Sequence, residues 1–325
     1  DLVRSRGLGD VYKRQVQDTV EVLGMEGQAY PGYTMRMFSD NAAKVLKEFV
    51  FTRPVTLSGG GMFPMGDDMK LMKGRIRFDA SAGRVRYPLL GTTLDLGKAK
   101  GEILISPQWV VVDKMKGTIW DGSFTGRVLA QIDDGDALNG SFVLQDMNLT
   151  SIGRSYGKKM EKATVHGAIE FSSKGGNMNS IQAKGEAALV HGDLVEIPLF
   201  GFLGEALSNY IPGLGHLINY KITRADCDFS IEKGYIRTSN FSAKGSNMSL
   251  EGGGWIRLAD LQVNSDFKLG LRGLPGLITS PVFLLAGGLF QVRGTGPLSN
   301  VSWSFAPFSG GKAPVPPAAA PARRR

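Results

Sequence analysis

The sequence is poor in the residue types that most often carry chemistry. Its 325 residues include a single cysteine, Cys227, and three histidines. One cysteine excludes an intrachain disulfide and a cysteine-rich metal site, and its place among alternating apolar residues predicts a small core side chain. His166, His191 and His216 do not have the spacing of metal ligands. We therefore expect no catalytic residue, no metal and no cofactor.

Motifs for nucleotide binding and hydrolysis are also missing. The sequence contains no Walker loop, no Rossmann fingerprint and no Gly-x-Ser-x-Gly elbow. The glycine triplets 59–61 and 252–254 follow strand patterns and lack the helix that a phosphate cradle needs, so they indicate bulges or close strand crossings. The acidic pairs at 67–68 and 133–134 are typical of turns, and no feature of the sequence indicates two carboxylates that face each other across a glycosidase cleft.

Neither a long apolar run nor a concentrated basic stripe is present. The longest apolar run, Pro281 to Phe290, is about half the length of a membrane-spanning helix. The net charge is +8, but residues 1–15 carry +2 of it and residues 309–325 carry +4, which leaves +2 for the body of the chain. Because a phosphate-binding surface needs clustered cations, nucleic acid is not expected as a partner.

Glycine, in contrast, is abundant, and it points to many tight turns between strands. The 44 glycines are about twice the usual share. Alternating segments are separated by turn signals such as Ser81-Ala82-Gly83, Asp121-Gly122 and Asp133-Asp134-Gly135. The sequence therefore predicts a mainly β protein with a long, curved antiparallel sheet and a few short amphipathic helices.

The clearest single strand runs from Leu261 to Arg272. Its two sets of alternating positions are apolar (Leu261, Val263, Phe267, Leu269, Leu271) and polar (Gln262, Asn264, Asp266, Lys268, Arg272). Such a strand has one oily and one wetted face. With Phe229 and Ile231 from a neighbouring strand, the apolar set is the candidate lining of an elongated apolar groove; the alternative is an ordinary closed core.

The chain divides into five regions by composition. Residues 1–15 resemble translated sequencing-adapter sequence and are treated as non-native, residues 16–54 hold a helix predicted at Met37–Phe51, and residues 55–308 form the β domain. Interrupted amphipathic helices are predicted near 193–220 and 274–290, where they plug or cap the end of the sheet; the alternative is that they gate an apolar groove or touch a membrane surface. The Pro/Ala/Arg tail at 309–325 is expected to be disordered.

The region from about Met147 to Pro307 also has a recognisable order of features. They are Leu149-Thr-Ser-Ile-Gly, Ala183-Lys-Gly-Glu-Ala, Leu194-Val-Glu-Ile-Pro-Leu-Phe-Gly-Phe-Leu, Cys227-Asp-Phe-Ser-Ile-Glu-Lys-Gly-Tyr-Ile-Arg-Thr, Ser249-Leu-Glu-Gly-Gly-Gly-Trp-Ile and Val292-Arg-Gly-Thr-Gly-Pro-Leu-Ser-Asn-Val-Ser-Trp. In this order they resemble the C-terminal portion of AsmA-like proteins, relatives of TamB in Gram-negative-type envelopes, over about half of the chain. The arginine-ending tail departs from that pattern.

The resemblance implies a periplasmic protein tethered to the inner membrane by an N-terminal anchor that lies upstream of this fragment. It also implies a curved sheet that conducts phospholipid between the inner and outer membranes, with possible outer-membrane assembly partners. The alternative is a passive periplasmic scaffold or assembly factor with a filled β core; a carbohydrate-active enzyme is a third hypothesis. If the groove is open, Phe267→Glu is expected to weaken lipid uptake and leave the fold intact.

Overall fold

The computed structural model describes residues 11–16, 19–31, 49–64, 72–89, 92–131, 137–155, 157, 160, 163–174, 180–193, 200, 203–210, 221–271 and 289–307. Within these ranges the protein is mainly β, with eighteen strands and two short helices. The chain forms two compact units. Unit 1 comprises Asp1–Lys159 with Ser172–Gly176, and unit 2 comprises Met160–Phe171 with Asn177–Arg325.

Unit 1 is built from ten antiparallel strands and one helix. They are β1 (Val11–Val16), β2 (Thr19–Ala29), β3 (Val50–Phe51), β4 (Val55–Pro64), β5 (Lys73–Asp79), β6 (Arg84–Leu89), β7 (Thr92–Ile105), β8 (Trp109–Ile119), β9 (Gly122–Gln131), β10 (Ala137–Asn148) and α1 (Leu149–Ser155). Neighbours follow the order β1, β2, β4, β5, β7, β8, β9, β10. The long strand β7 also pairs with β6, which pairs with β3.

Unit 2 follows a simpler plan, because each strand from β12 to β18 pairs antiparallel with the next. Its elements are β11 (Thr164–Ser173), β12 (Gln182–Asp193), α2 (Leu203–Tyr210), β13 (Lys221–Glu232), β14 (Tyr235–Gly245), β15 (Met248–Arg257), β16 (Gln262–Leu271), β17 (Leu289–Pro297) and β18 (Ser302–Pro307). The end of β11 falls at the boundary with unit 1.

The predicted fold class is confirmed: the chain is mainly β, antiparallel, with short helices. Several boundaries differ from the prediction. The segment 16–54 is not separate from the β region, because β2 pairs with β4 and β3 pairs with β6. The helix predicted at Met37–Phe51 lies mostly outside the described residues, and its last two residues form β3. Residues 11–15, which were predicted to be non-native, belong to β1 (Val11–Val16), which pairs with β2.

The predicted helical regions are only partly covered by the described residues. Near 193–220, α2 is the described helix, while Asp193 closes strand β12. Near 274–290, residues 272–288 lie outside the described ranges, and Leu289 and Phe290 begin strand β17 and not the end of a helix.

Tight hairpin turns explain part of the glycine and aspartate usage. Trp120 and Asp121 both have positive φ, 48° and 62°, and Lys233 and Gly234 have 52° and 77°. Two consecutive residues with positive φ form the type I′ turn, whose twist matches that of the flanking strands. The predicted turn at Asp121 therefore joins β8 to β9, and the Lys-Gly turn joins β13 to β14.

The two glycine triplets occupy equivalent places in the two units. Gly59–Gly61 lies in β4 opposite a bulge in β2, and Gly252–Gly254 lies in β15 opposite a bulge in β14. The first glycine of each has φ of +152° and +158°, and a Cβ on either would stand 2.1 or 2.3 Å from a neighbouring carbonyl oxygen. Only glycine allows this close approach of strands. The predicted close approach of strands at the triplets is thus confirmed, whereas the bulges lie in the neighbouring strands β2 and β14, and each unit contains the same three-strand arrangement.

Candidate functional site

Unit 1 has a continuous apolar face that crosses seven strands. Cross-strand register aligns its residues in rows, of which two are Val22, Gly61, Gly74, Ile105, Val110, Ala130, Leu138 and Met25, Gly59, Ile76, Ile103, Val112, Val128, Gly140. Neighbouring strands lie about 4.8 Å apart, so each row is about 29 Å long. No row contains a charged residue. These residues and the apolar side chains that alternate with them define the apolar face of unit 1.

The apolar face of unit 1 is only partly buried. Ile76 and Ile105 are 6% and 7% exposed and belong to a core cluster with Phe63 and Met72. Farther along the rows, Val112 and Val128 are half-buried. Apolar side chains with this degree of exposure retain contact with solvent, and their transfer to an apolar ligand would be favourable.

Aromatic rings lie over glycines of the neighbouring strand on this face. A Cβ on Gly101 would stand 2.9 Å from the Phe78 ring, one on Gly117 2.7 Å from Phe124, and one on Gly126 2.3 Å from Phe142. Each ring faces its glycine directly across the strand pair. Each ring occupies the space that a side chain on its glycine would fill, and so it shields the glycine backbone from solvent.

Unit 2 has an equivalent apolar face, but most of it is covered. The row Leu189, Ala225, Ala243, Leu250, Leu269, Phe290 crosses six strands, and the last four of these residues are 0–1% exposed. Phe200, Leu203 and Leu207, at and before α2, are equally buried at 0–1%. The apolar stripe of α2 thus belongs to the core of unit 2.

An aromatic cluster fills the centre of that core. The Phe200 ring lies 5.3 Å from Phe241, 5.4 Å from Phe267 and 5.8 Å from Trp303, measured between centroids. Phe241 and Phe267 approach each other edge to face at 5.5 Å across Gly252. Aromatic pairs at these separations add to the stability that area burial supplies.

The predicted groove residues therefore separate into three groups. Val263, Phe267, Leu269 and Leu271 are 3%, 2%, 0% and 4% exposed and lie in the filled core of unit 2. Phe229 and Ile231 are half-buried on the same face, nearer β12. Leu261 is 46% exposed and precedes the strand. The expectation that Phe267 tolerates a charge without unfolding is wrong, because Phe267 packs against Phe200.

Leu261 lies outside β16, although the alternating pattern includes it, because it belongs to the turn that precedes the strand. Arg257 and Asp260 form a two-pronged ion pair at 2.8 and 2.6 Å, and Asp260 also accepts the backbone N–H of Gln262. The same Arg257 side chain lowers the pKa of Asp260. Leu261 takes a positive φ of 54° in this turn. The side-chain-stabilised turn thus includes Leu261, and β16 begins at Gln262, one residue later than the apolar pattern indicates.

The polar face of β16, which was predicted to face solvent, is partly buried. Asp266 is only 8% exposed. Its carboxylate accepts hydrogen bonds from Gln291 at 2.8 Å and from Arg293 at 3.0 Å. Because a buried carboxylate is costly unless it is paired, this network fixes the register of β16 against β17.

Cys227 lies on the half-buried part of the unit 2 apolar face. It stands opposite Ala187, two residues from Phe229. Burial raises the pKa of the Cys227 thiol, and the neighbouring Asp228 carboxylate raises it further. The thiolate is the reactive form, so a raised pKa makes the cysteine slow to react at neutral pH.

We expect Cys227 in the folded protein to react with a maleimide at least about tenfold more slowly at pH 7 than in denaturant. The rate should rise steeply as the pH passes above the ordinary thiol range, because only then does the thiolate form. Labelling followed by mass spectrometry measures both rates. Equal rates in folded and denatured protein would contradict the assigned environment.

The histidines form no site in the described residues. His166 is half-buried in β11, and His191 is exposed with a φ of 54° within β12 and not in the predicted turn. His216 lies outside the described ranges. Among the residues that the structure describes, no group of three or more His, Cys, Asp and Glu side chains is arranged to hold a metal ion.

Comparison with models of known families, with curated proteins and with solved structures finds no match for this chain. In the described part of the chain, no helix has the length and apolar character needed to span a bilayer. The candidate site is therefore argued from the geometry of the apolar face of unit 1.

Proposed function

We propose that this chain is a non-enzymatic lipid-handling protein of the cell envelope, whose apolar face in unit 1 binds phospholipid acyl chains. The observation that carries the proposal is the pair of uncharged rows across seven strands, half-buried along much of their length. At about 29 Å, a row is close to the thickness of a bilayer's hydrocarbon core. An extended acyl chain therefore fits along it.

The energetics suit transport. Each buried methylene contributes about 0.8 kcal/mol, so about ten methylenes contribute roughly 8 kcal/mol before the cost of ordering. That corresponds to micromolar affinity at best, since association also loses translational and rotational freedom. An apolar surface without fixed polar partners accepts chains of different length. In this proposal the full-length protein is periplasmic, tethered to the inner membrane, and passes phospholipid between the two membranes.

A second candidate is a passive scaffold or assembly factor with a filled β core. The burial of Phe200, Leu203 and Leu207 against the unit 2 sheet favours it, because that face is occupied by the chain itself. The two candidates differ in unit 1: a scaffold needs no exchangeable ligand there.

The test is uptake of a fluorescent phosphatidylcholine presented as monomer. We expect Val128→Glu, on the apolar face, to weaken uptake by about tenfold or more, because bound acyl chains would have to displace water from a charged carboxylate. Val143→Glu is the matched control, since Val143 is 42% exposed and lies on the opposite face of the same unit. We expect that variant to take up lipid like the unmodified protein.

A milder variant keeps the test decisive if Val128→Glu unfolds. Val112→Thr preserves shape and strand propensity, so it should retain the circular dichroism spectrum and weaken uptake by a few-fold. Unmodified protein that takes up no lipid, and that yields none in mass spectrometry after mild purification, would eliminate the lipid-handling function and favour the scaffold.

A further inference from the structure

Basic residues that are distant in the sequence lie together on the face of unit 1 that is opposite its apolar face. Residues 73–131 contain ten basic and five acidic residues, a net of +5, against +2 for the whole of residues 16–308. Register places many of them together: one row reads Thr56, Asp79, Lys100, Lys116, Thr125, Val143, and another reads Ser58, Arg77, Glu102, Asp113. We name the surface that contains these rows the polar face of unit 1.

On the polar face, cations stand outward and anions lie beneath them. Arg77 and Lys114 are 70% and 69% exposed, whereas Glu102, which they both contact at 3.4 and 3.2 Å, is 15% exposed. Arg127 is 61% exposed over Asp113 at 32%. A partner that approaches this face meets guanidinium and ammonium groups first, and the recessed carboxylates hold those groups in place.

Further cations on this face have no ion pair within the described residues, among them Arg75, Lys100 and Lys116. Lys100 and Lys116 stand directly opposite each other on β7 and β8. Their mutual repulsion is unfavourable in the free protein, and an anion placed between them would relieve it. Asp79, beside Lys100 in the same row, offsets only part of this charge: the nearby Lys100 ammonium group contributes to lowering the pKa of Asp79, but one carboxylate beside two ammonium groups leaves the row cationic.

Exposed apolar side chains are interspersed with these cations. Val143, in the same row as Lys100 and Lys116, is 42% exposed, and Trp109, which alternates with the inward Val110, is 36% exposed. Leu23, in the β2 bulge, is 59% exposed. Leu23, Trp109, Arg75 and Arg77 line an open depression of about 960 Å³, whose lining also includes Val22, Met25 and Ile105 of the apolar face.

We propose that the polar face of unit 1 docks onto an anionic phospholipid bilayer. The cations extend over several strands of one face and can therefore contact several anionic headgroups, and each Lys or Arg near an anionic membrane strengthens binding roughly fivefold. The exposed apolar side chains favour a bilayer over a water-soluble polyanion as the partner, because tryptophan and aliphatic side chains are stabilised when they enter the interfacial region of a membrane. These side chains are Trp109, Leu23 and Val143. This docking surface meets the acyl-binding face of the proposed function at the depression, whereas Lys100 and Lys116 lie on the opposite face of the sheet from Val112 and Val128.

The test is co-sedimentation of the full chain with vesicles of phosphatidylcholine, with and without phosphatidylglycerol. We expect binding to the mixed vesicles alone, weakened by salt because the contacts are screened. The triple variant Arg75→Gln, Lys100→Gln, Lys116→Gln should lose roughly 100-fold in affinity. The matched control Arg224→Gln, Lys233→Gln, Lys244→Gln removes the same charge from exposed positions of unit 2 and should lose little.

Three results would overturn the docking proposal: equal binding of the two triple variants, equal binding to vesicles without phosphatidylglycerol, or binding to heparin with none to mixed vesicles. Trp109→Ala separates the apolar contribution, and we expect it to weaken vesicle binding several-fold without changing heparin binding. Uptake of monomeric phosphatidylcholine should be normal in the unit 1 triple variant. Loss of docking with normal uptake, or the reverse, therefore tells which of the two proposals fails.

Discussion

Phe267→Glu is expected to unfold unit 2. Phe267 is 2% exposed and contacts the rings of Phe200 and Phe241. Replacing a buried phenylalanine by a small residue costs about 3–5 kcal/mol, and an unpaired buried carboxylate adds to that cost. The sum is comparable with the whole stability of an ordinary domain. Urea unfolding monitored by tryptophan fluorescence and by circular dichroism measures the effect; Trp303, one of the four tryptophans, lies 6.3 Å from Phe267 between ring centroids.

The matched control is Phe267→Leu, which keeps the site apolar. We expect it to lower the free energy of unfolding by a few kcal/mol at most and to retain a cooperative transition. If Phe267→Glu unfolded at the same urea concentration as the unmodified protein, the ring would have to face solvent. The covered core described for unit 2 would then be wrong.

Substitution of the first glycine in either triplet is expected to have the next largest effect. In Gly59→Val and Gly252→Val, the new Cβ would meet the carbonyl oxygen of Arg75 or Asp266, and the backbone φ of +152° or +158° suits valine poorly. We expect losses of roughly 3 kcal/mol or more in each unit. Thermal unfolding followed by circular dichroism checks both.

Gly24→Val is the control for the glycine substitutions. Gly24 lies in the β2 bulge opposite the first triplet, and a Cβ there would meet no atom within 4 Å. We expect its unfolding temperature to change little. A loss as large as that of Gly59→Val would show that valine destabilises this region generally, and that close strand approach is not the cause.

Much of the β architecture follows from the sequence. Alternation identified β16 to within one residue at each end, because apolar side chains recur at every second position from Val263 to Leu271 except at Ser265. The Asp121-Gly122 signal located a hairpin, although the positive-φ pair of its type I′ turn is Trp120-Asp121 and Gly122 begins β9. Alternation is interrupted within β8, because a bulge between Val112 and Met115 shifts the register without ending the pairing.

The site was harder to predict, because alternation reports which residues share a face and not what covers that face. Phe267 and Val112 have similar sequence surroundings, yet Phe267 packs under Phe200 while Val112 is half-buried. That difference arises from a contact between residues far apart in the chain. The cationic surface was missed for a related reason: Lys100 and Lys116 become neighbours only through the register of β7 and β8.

The path of the chain through unit 2 has a consequence for the order of folding. From β12 to β18 each strand pairs with the one made just before it, so most contacts close short loops and can form while the chain emerges from the ribosome. Phe200 is the exception, because it stacks on Trp303 of the last strand. The core is therefore completed only after β18 is synthesised, and until then Phe200 and its partners are exposed to chaperones and to aggregation.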